Sequence, residues 1–286
     1  MKNAVLIVLM LMIACSVFAK DEISPGRIVT YKRKDGVELK LHVFNPENHK
    51  PTDSRPAIVF FFGGGWMTGT PRQFYQQAKG FANLGFVALS AEYRVTGTHK
   101  TTPFECVKDG KSAVRWIRSH AHELGVDPAR IVAAGGSAGG HIAACTGVIQ
   151  GFEEDWEDLS VSALPNAIIL YNPVIDTTEN GYGMKKVGQD RKTEISPCQH
   201  VHPGIPPTLI FHGTADTTVP FENVKRFTKL MKEEGNICLL IPFDGKNHGF
   251  FNGSFFRPEN GDGDFDFIME KSIDFLTKIG LLRPGK

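Results

Sequence analysis

The sequence predicts an α/β fold, a mostly parallel central sheet with helices on both faces and a small partial lid. Three observations point there. Residues 57–62, Ala-Ile-Val-Phe-Phe-Phe, are apolar at every position. That pattern suits a strand covered on both faces, as in the middle of a parallel sheet. From there to the C-terminus, strand-like apolar runs alternate with helical spacing, which is the signature of crossover connections. Finally, the apolar run at 131–134 passes through Gly135-Gly136-Ser137-Ala138-Gly139-Gly140-His141 straight into an Ala-rich helix. A turn that sharp needs small residues around its serine.

In order, residues 27–31 and 39–44 read as strands joined by a turn at Asp35-Gly36. Residues 45–56 form a polar loop with two prolines. The strand at 57–62 ends in Gly63-Gly64-Gly65-Trp66. A helix is expected at 71–84, stopped by Gly85, then a strand at 86–90 and a helix at 104–124, stopped by Gly125. After the strand at 131–134, a helix covers 141–148. Strands at 167–170, 208–211 and 238–241 follow, with helices at 221–234 and 265–279. Two segments break the alternation: the acidic stretch 151–165, and the long 172–207, expected to cross the mouth of a site as the partial lid.

The chain has 286 residues and 41% hydrophobic content, enough for a single large domain over residues 20–286. Residues 1–19 read as a signal peptide: Lys2, an apolar run over 4–14, and a small-x-small site at Val17-Phe18-Ala19. The mature chain is expected to begin at Lys20, exported to a periplasm or secreted, with no membrane span. Cys15 closes a loose lipobox, Met12-Ile13-Ala14-Cys15; Met suits its first position poorly, so cleavage after Ala19 is the preferred reading. Without the leader, acidic and basic residues balance. Neither that charge nor any basic cluster favours nucleic acid as a partner. Cys106, Cys145, Cys198 and Cys238 match no metal-ligand spacing and read as buried thiols. Asp262, Asp264 and Asp266 begin like a calcium loop, but Ile273 stands where its closing Glu belongs. No metal or cofactor is expected.

The chemistry-bearing residues form a set. A nucleophilic serine needs a base, a group that orients the base, and donors for an oxyanion. Ser137 supplies the hydroxyl. Downstream, Asp216 follows the strand 208–211, and His248 sits in a Gly-flanked loop after the strand 238–241. The spacing of 32 positions from Asp216 to His248 leaves room for one helix and one strand. Glu222 is a rival acid but falls inside a helix. His212 reads as structural, His141 as supporting the serine turn, and His200 and His202 as surface residues of the lid. Oxyanion donors are expected from the N–H groups of Gly63, Gly64, Gly65 and Ala138, with Trp66 and Phe250 against the substrate. Glycine-rich turns also bind phosphate, but no Lys-Ser/Thr follows the three glycines.

Together Phe62-Gly63-Gly64-Gly65-Trp66, Glu92-Tyr93-Arg94, Gly136-Ser137-Ala138-Gly139-Gly140-His141, His212-Gly213-Thr214-Ala215-Asp216 and His248-Gly249-Phe250 span nearly the whole mature chain. In that order they resemble the α/β-hydrolase serine esterases of the acetyl esterase/lipase type, near the hormone-sensitive-lipase-like and acetylxylan/feruloyl esterase branches. One position departs from that pattern: the family usually has His before the three glycines, and here it is Phe62. The resemblance implies the α/β-hydrolase fold and the strand–G-x-S-x-G–helix nucleophile elbow. It also implies a serine carboxylester hydrolase with a small-molecule or polysaccharide ester substrate, such as acetyl or hydroxycinnamoyl groups on plant polysaccharide. The same scaffold serves amidases and peptidases, and non-catalytic binding proteins; the intact Ser-Asp-His set argues against the last. The polar and acidic make-up of 151–165 and 172–207 is expected to rim the site and to suit a hydrated alcohol portion better than a long acyl tail.

Overall fold

A computed structural model describes residues 22–282. The expected leader, Cys15 and Lys20 lie outside the described residues. Among those described, no helix is long and apolar enough to cross a membrane.

Among the described residues, eight strands form one sheet in the order β1-β2-β4-β3-β5-β6-β7-β8. Strands β1 (Arg27–Lys34) and β2 (Val37–Phe44) form a hairpin. Its turn puts Asp35 at φ 50° and Gly36 at φ 77°, the double left-handed bend that matches strand twist. Strand β2 also runs antiparallel to β4 (Val87–Ala91). The remaining pairs are parallel: β4 to β3 (Arg55–Phe61), then β5 (Val126–Gly136), β6 (Ala167–Tyr171), β7 (Thr208–Gly213) and β8 (Cys238–Phe243). After β3 the chain steps to one side; after β5 it steps to the other. Ligand crevices in open α/β sheets form at such a reversal, beyond the carboxyl ends of the strands.

Five longer helices accompany the sheet: α1 (Tyr75–Asn83), α2 (Pro103–Ser119), α3 (Ala138–Val148), α4 (Phe221–Glu233) and α5 (Gly263–Lys278). Helix α3 is buried at every position, which explains its lack of a polar face. Thr102 and Glu105 cap α2 reciprocally. The single helix expected over 104–124 is broken: His120 leaves helical geometry, and Ala121–Leu124 makes a separate turn closed by left-handed Gly125. The four cysteines among the described residues are buried and free. The Asp262 carboxylate accepts from Gln76 Nε2 at 2.8 Å and Ser254 N at 2.7 Å.

The acidic stretch does not line the pocket at Ser137. Glu154 is buried with Lys32, Arg94 and Asp109 in a neutral set of four charges. Lys32 Nζ lies 2.6 Å from Asp109 Oδ1 and 2.7 Å from Glu154 Oε1. Arg94 Nη2 lies 2.7 and 2.8 Å from the same two oxygens. Burial alone would raise the Glu154 carboxyl, but hydrogen bonds and charge from Lys32 and Arg94 outweigh it and hold it low. Glu153 pairs with Lys111 and Arg115 of α2, and Glu157 with Arg115. A sequence shows the carboxylates but not the basic helix face that neutralises them.

The buried set ties β1, the segment after β4, α2 and the acidic stretch together. Asp109→Ala leaves Lys32 and Arg94 facing one carboxylate instead of two. Urea denaturation of this variant is expected to show a loss of about 3–5 kcal/mol, the cost of an uncompensated buried charge. A loss under 1 kcal/mol would mean the set is not a structural tie.

Candidate active site

Ser137 sits between β5 and α3 with φ 56° and ψ −120°, a backbone that side-chain-bearing residues rarely adopt. Three hydrogen bonds impose it. Its N–H donates to Tyr171 O at 2.9 Å, and its carbonyl accepts from Val174 N at 3.1 Å and His141 N at 3.0 Å. The glycines let the turn close: a β-carbon on Gly139 would run into the Phe61 and Phe62 carbonyl oxygens. The serine is 9% exposed, with its hydroxyl at the floor of a pocket.

Asp216 follows β7 and His248 follows β8, and the two loops are stitched together. Ala215 N–H donates to Lys246 O at 3.0 Å, and Asn172 Nδ2 reaches Asn247 O at 3.3 Å. His248 Nδ1 lies 2.7 Å from Asp216 Oδ2, and His248 Nε2 lies 2.8 Å from Ser137 Oγ. The structure thus brings Ser137, His248 and Asp216 into one hydrogen-bonded line, and Glu222 has no part in it. Asp216 Oδ2 also accepts from Asn172 Nδ2 at 2.7 Å and faces His212 Nε2 at 3.3 Å. Its Oδ1 accepts from the N–H groups of Thr218 at 2.8 Å and Val219 at 2.9 Å. Burial alone would raise this carboxyl, but hydrogen bonds from His212, His248 and Val219 prevail and hold it well below the usual carboxylate range.

The glycine loop after β3 faces the serine. Phe62 stacks on Tyr93 with centroids 4.1 Å apart, and Tyr93 Oη donates to the Phe62 carbonyl at 2.7 Å. An aromatic pair and a phenol thus hold the loop at Phe62. Gly63 departs from expectation: its N–H is occupied by Gln73 Oε1 at 2.7 Å. No hydrogen bond from the N–H of Gly64, Gly65 or Ala138 is present among the described residues. Ala138 opens α3, where backbone donors lack intrahelical partners.

Trp66 and Phe250, expected against the substrate, are turned away from it. Trp66 is fully buried, its ring edge-on to His141 at 5.1 Å. Phe250 packs on Phe243 with centroids 4.3 Å apart. The pocket, about 270 Å³, is instead walled by Tyr182, Thr218, Phe251 and Arg257. Tyr182 comes from the 172–207 segment, whose base is anchored by Asp176 to Thr178, Ser196 and Arg226. His200 and His202 bond backbone carbonyls of that segment and do not line the pocket. Asn172, Gln73 and Arg257 had no sequence signal beyond Asn172's place at a strand's carboxyl end. No His, Cys, Asp and Glu grouping able to hold a metal occurs among the described residues.

A family model described as BD-FAE matches residues 41–183, half of the chain. Among solved structures, the apo form of Thermogutta terrifontis esterase 2 is 47% identical, covers 92% of this chain and 98% of its own, and superposes with a TM-score of 0.86. The chain belongs to the BD-FAE family of α/β-hydrolase serine esterases. Esterase LipC of Mycobacterium tuberculosis is 29% identical over 222 residues, covering 70% of this chain and 54% of LipC. The acetylxylan esterase of Xylanibacter ruminicola is 26% identical, covering 80% of this chain and 47% of that protein. The chain spans about half the length of these curated relatives.

Behind the family's serine turn, His141 is wholly buried and its Nε2 donates to Ile195 O at 2.6 Å. Burial pulls its imidazole down to about 4, against the pull of that carbonyl. It is therefore neutral in the folded protein while the unfolded chain binds a proton below about pH 6.5. Stability from this group is full above that pH and is lost as pH falls toward 4, by about 1.4 kcal/mol per unit at most. Asp216 contributes in a lower window, since its stabilisation is lost only as pH falls below about 4. Folding free energies measured between pH 7 and 4 should fall more steeply for the native chain than for His141→Gln. Parallel curves would show that His141 does not set this dependence.

Proposed function

We propose that this protein is an exported carboxylester hydrolase for short acyl esters, acting on acetyl or hydroxycinnamoyl groups of plant polysaccharide. The observation that carries the reaction is the unbroken Ser137–His248–Asp216 hydrogen-bond line at the floor of a small pocket. Asp216, held ionised, accepts a hydrogen bond from His248 Nδ1–H and so fixes the tautomer that presents Nε2 as a base to Ser137 Oγ. Ser137 attacks the ester carbonyl. The N–H groups of Gly64, Gly65 and Ala138 receive the oxyanion, and His248 returns the proton to the leaving alcohol. Water then releases the acid by the same steps in reverse. No cofactor enters this scheme.

The acyl length follows from the pocket. A volume near 270 Å³ falls just under the range of ordinary ligand pockets, about 300–1,000 Å³. Phe251 closes it from within, packed on Phe74 and Tyr171. Thermogutta terrifontis esterase 2 has been solved with butyrate bound, and the relation to an acetylxylan esterase supports a carbohydrate ester. The apolar leader of residues 1–19 supports export.

Ser137→Ala and His248→Ala should each abolish nearly all turnover, on the order of a million-fold, with the double variant little worse than either. Asp216→Asn should lose about 10⁴-fold by leaving the imidazole in the wrong tautomer. Near-normal turnover in any of the three would refute the assignment.

The kcat/KM series across p-nitrophenyl acetate, butyrate, hexanoate and octanoate should peak at four carbons or fewer, because each methylene outside the pocket gains no burial. A maximum at octanoate would favour a lipase.

A further inference from the structure

The pocket carries a charge that ester hydrolysis does not use. Arg257 lines it, with its guanidinium against the backbone next to His248: a β-carbon on Gly249 would meet Arg257 Nη1 at 2.9 Å and Cζ at 3.0 Å. Among the described residues, no carboxylate lies within ion-pair distance of Arg257, and its side chain makes no hydrogen bond. By contrast, Arg94, Arg115, Arg130, Arg191 and Arg226 all pair with carboxylates.

A second cation stands at the glycine loop. Lys186 Nζ donates to Gly65 O at 3.2 Å and to Tyr182 Oη at 3.0 Å, and it too has no carboxylate within ion-pair distance among the described residues. No Asp or Glu lines the pocket. The Asp216 carboxylate behind His248 is turned inward with both oxygens occupied by hydrogen bonds. The serine therefore opens into a pocket lined by one guanidinium and no carboxylate, and that exposed fork is free for a planar, bidentate anion.

We propose that Arg257 forms a carboxylate subsite, so that the preferred substrates are esters bearing a free carboxylate near the scissile bond. This rests on the esterase reading above. A carboxylate could enter on either side of the ester: on the acyl group, as in a half-ester of a dicarboxylic acid, or on the alcohol, as in an acylated uronic acid. The recognising chemistry is the same for both.

Two substrate pairs separate these sources. On the acyl side, p-nitrophenyl hemisuccinate is compared with p-nitrophenyl butyrate. On the alcohol side, 4-acetoxybenzoate is compared with its methyl ester. The readout is the anionic-to-neutral ratio of kcat/KM for the native protein, Arg257→Gln and Arg257→Lys, at low and at physiological salt. In at least one pair the native ratio should exceed that of Arg257→Gln by about tenfold, chiefly through KM, as a lost charge-assisted hydrogen bond implies. Arg257→Lys should recover part of the difference, and added salt should narrow it. The pair that responds identifies the side of the ester carrying the charge. Equal ratios in the native protein and Arg257→Gln for both pairs would overturn the subsite while leaving the esterase reading intact. Failure of the native protein to turn over even the neutral esters would overturn the esterase reading, and this inference with it.

Discussion

The constraint on which the site depends is the backbone of Ser137, held at φ 56° and ψ −120°. Such a conformation costs on the order of 1–3 kcal/mol and persists only where its surroundings over-determine it. Here they do. Strand β6 takes the serine's N–H, the chain after β6 and the first turn of α3 take its carbonyl, and β3 passes so close that Gly139 admits no side chain. Relaxing the turn would withdraw the hydroxyl from His248 and move the Ala138 N–H with it. Nucleophile and candidate oxyanion donor are thus positioned by one local strain.

The other parts of the site are carried on loops, yet each loop is tied to another. Asn172 Nδ2 bonds both Asp216 and the Asn247 carbonyl, joining the ends of β6, β7 and β8. Gln73 accepts from Gly63 N–H and donates to Asn252 Oδ1 at 3.0 Å, joining the glycine loop to the segment after His248. Neutral amides suit this task, because they offer a donor and an acceptor in fixed geometry without competing with Asp216 for charge. Tyr93 and Lys186 bond the Phe62 and Gly65 carbonyls of the glycine loop. Pre-organised donors of this kind need little rearrangement as charge develops.

Charge is distributed in two distinct ways. Lys32, Arg94, Asp109 and Glu154 are buried and mutually neutralised, so they tie elements of the fold together. Among the described residues, Arg257 and Lys186 remain without carboxylate partners beside the pocket, and there their charge can act on a substrate. Counting acids and bases along the chain cannot separate these cases, because neutralisation depends on which faces the fold brings together.

Patterns local in the chain were legible from residues alone. The apolar run of β3, the strand–glycine–serine–helix turn and the alternation of elements announced the parallel sheet, because burial on both faces and steric closeness restrict residue types directly. The order of Ser137, Asp216 and His248 at strand ends announced their meeting. What only tertiary structure decided was direction and pairing. Trp66 and Phe250 read as substrate-facing from proximity in sequence, yet backbone geometry turns both rings into the core, and Phe251 takes the wall. The Gly63 N–H read as free, yet Gln73, ten residues on, occupies it. Asn172 was silent because its partners Asp216 and Asn247 lie 44 and 75 residues away, and a side chain's role at such distances is set by folding geometry, which leaves no period or spacing in the chain; Arg257 was silent because only that geometry turns it toward the serine pocket.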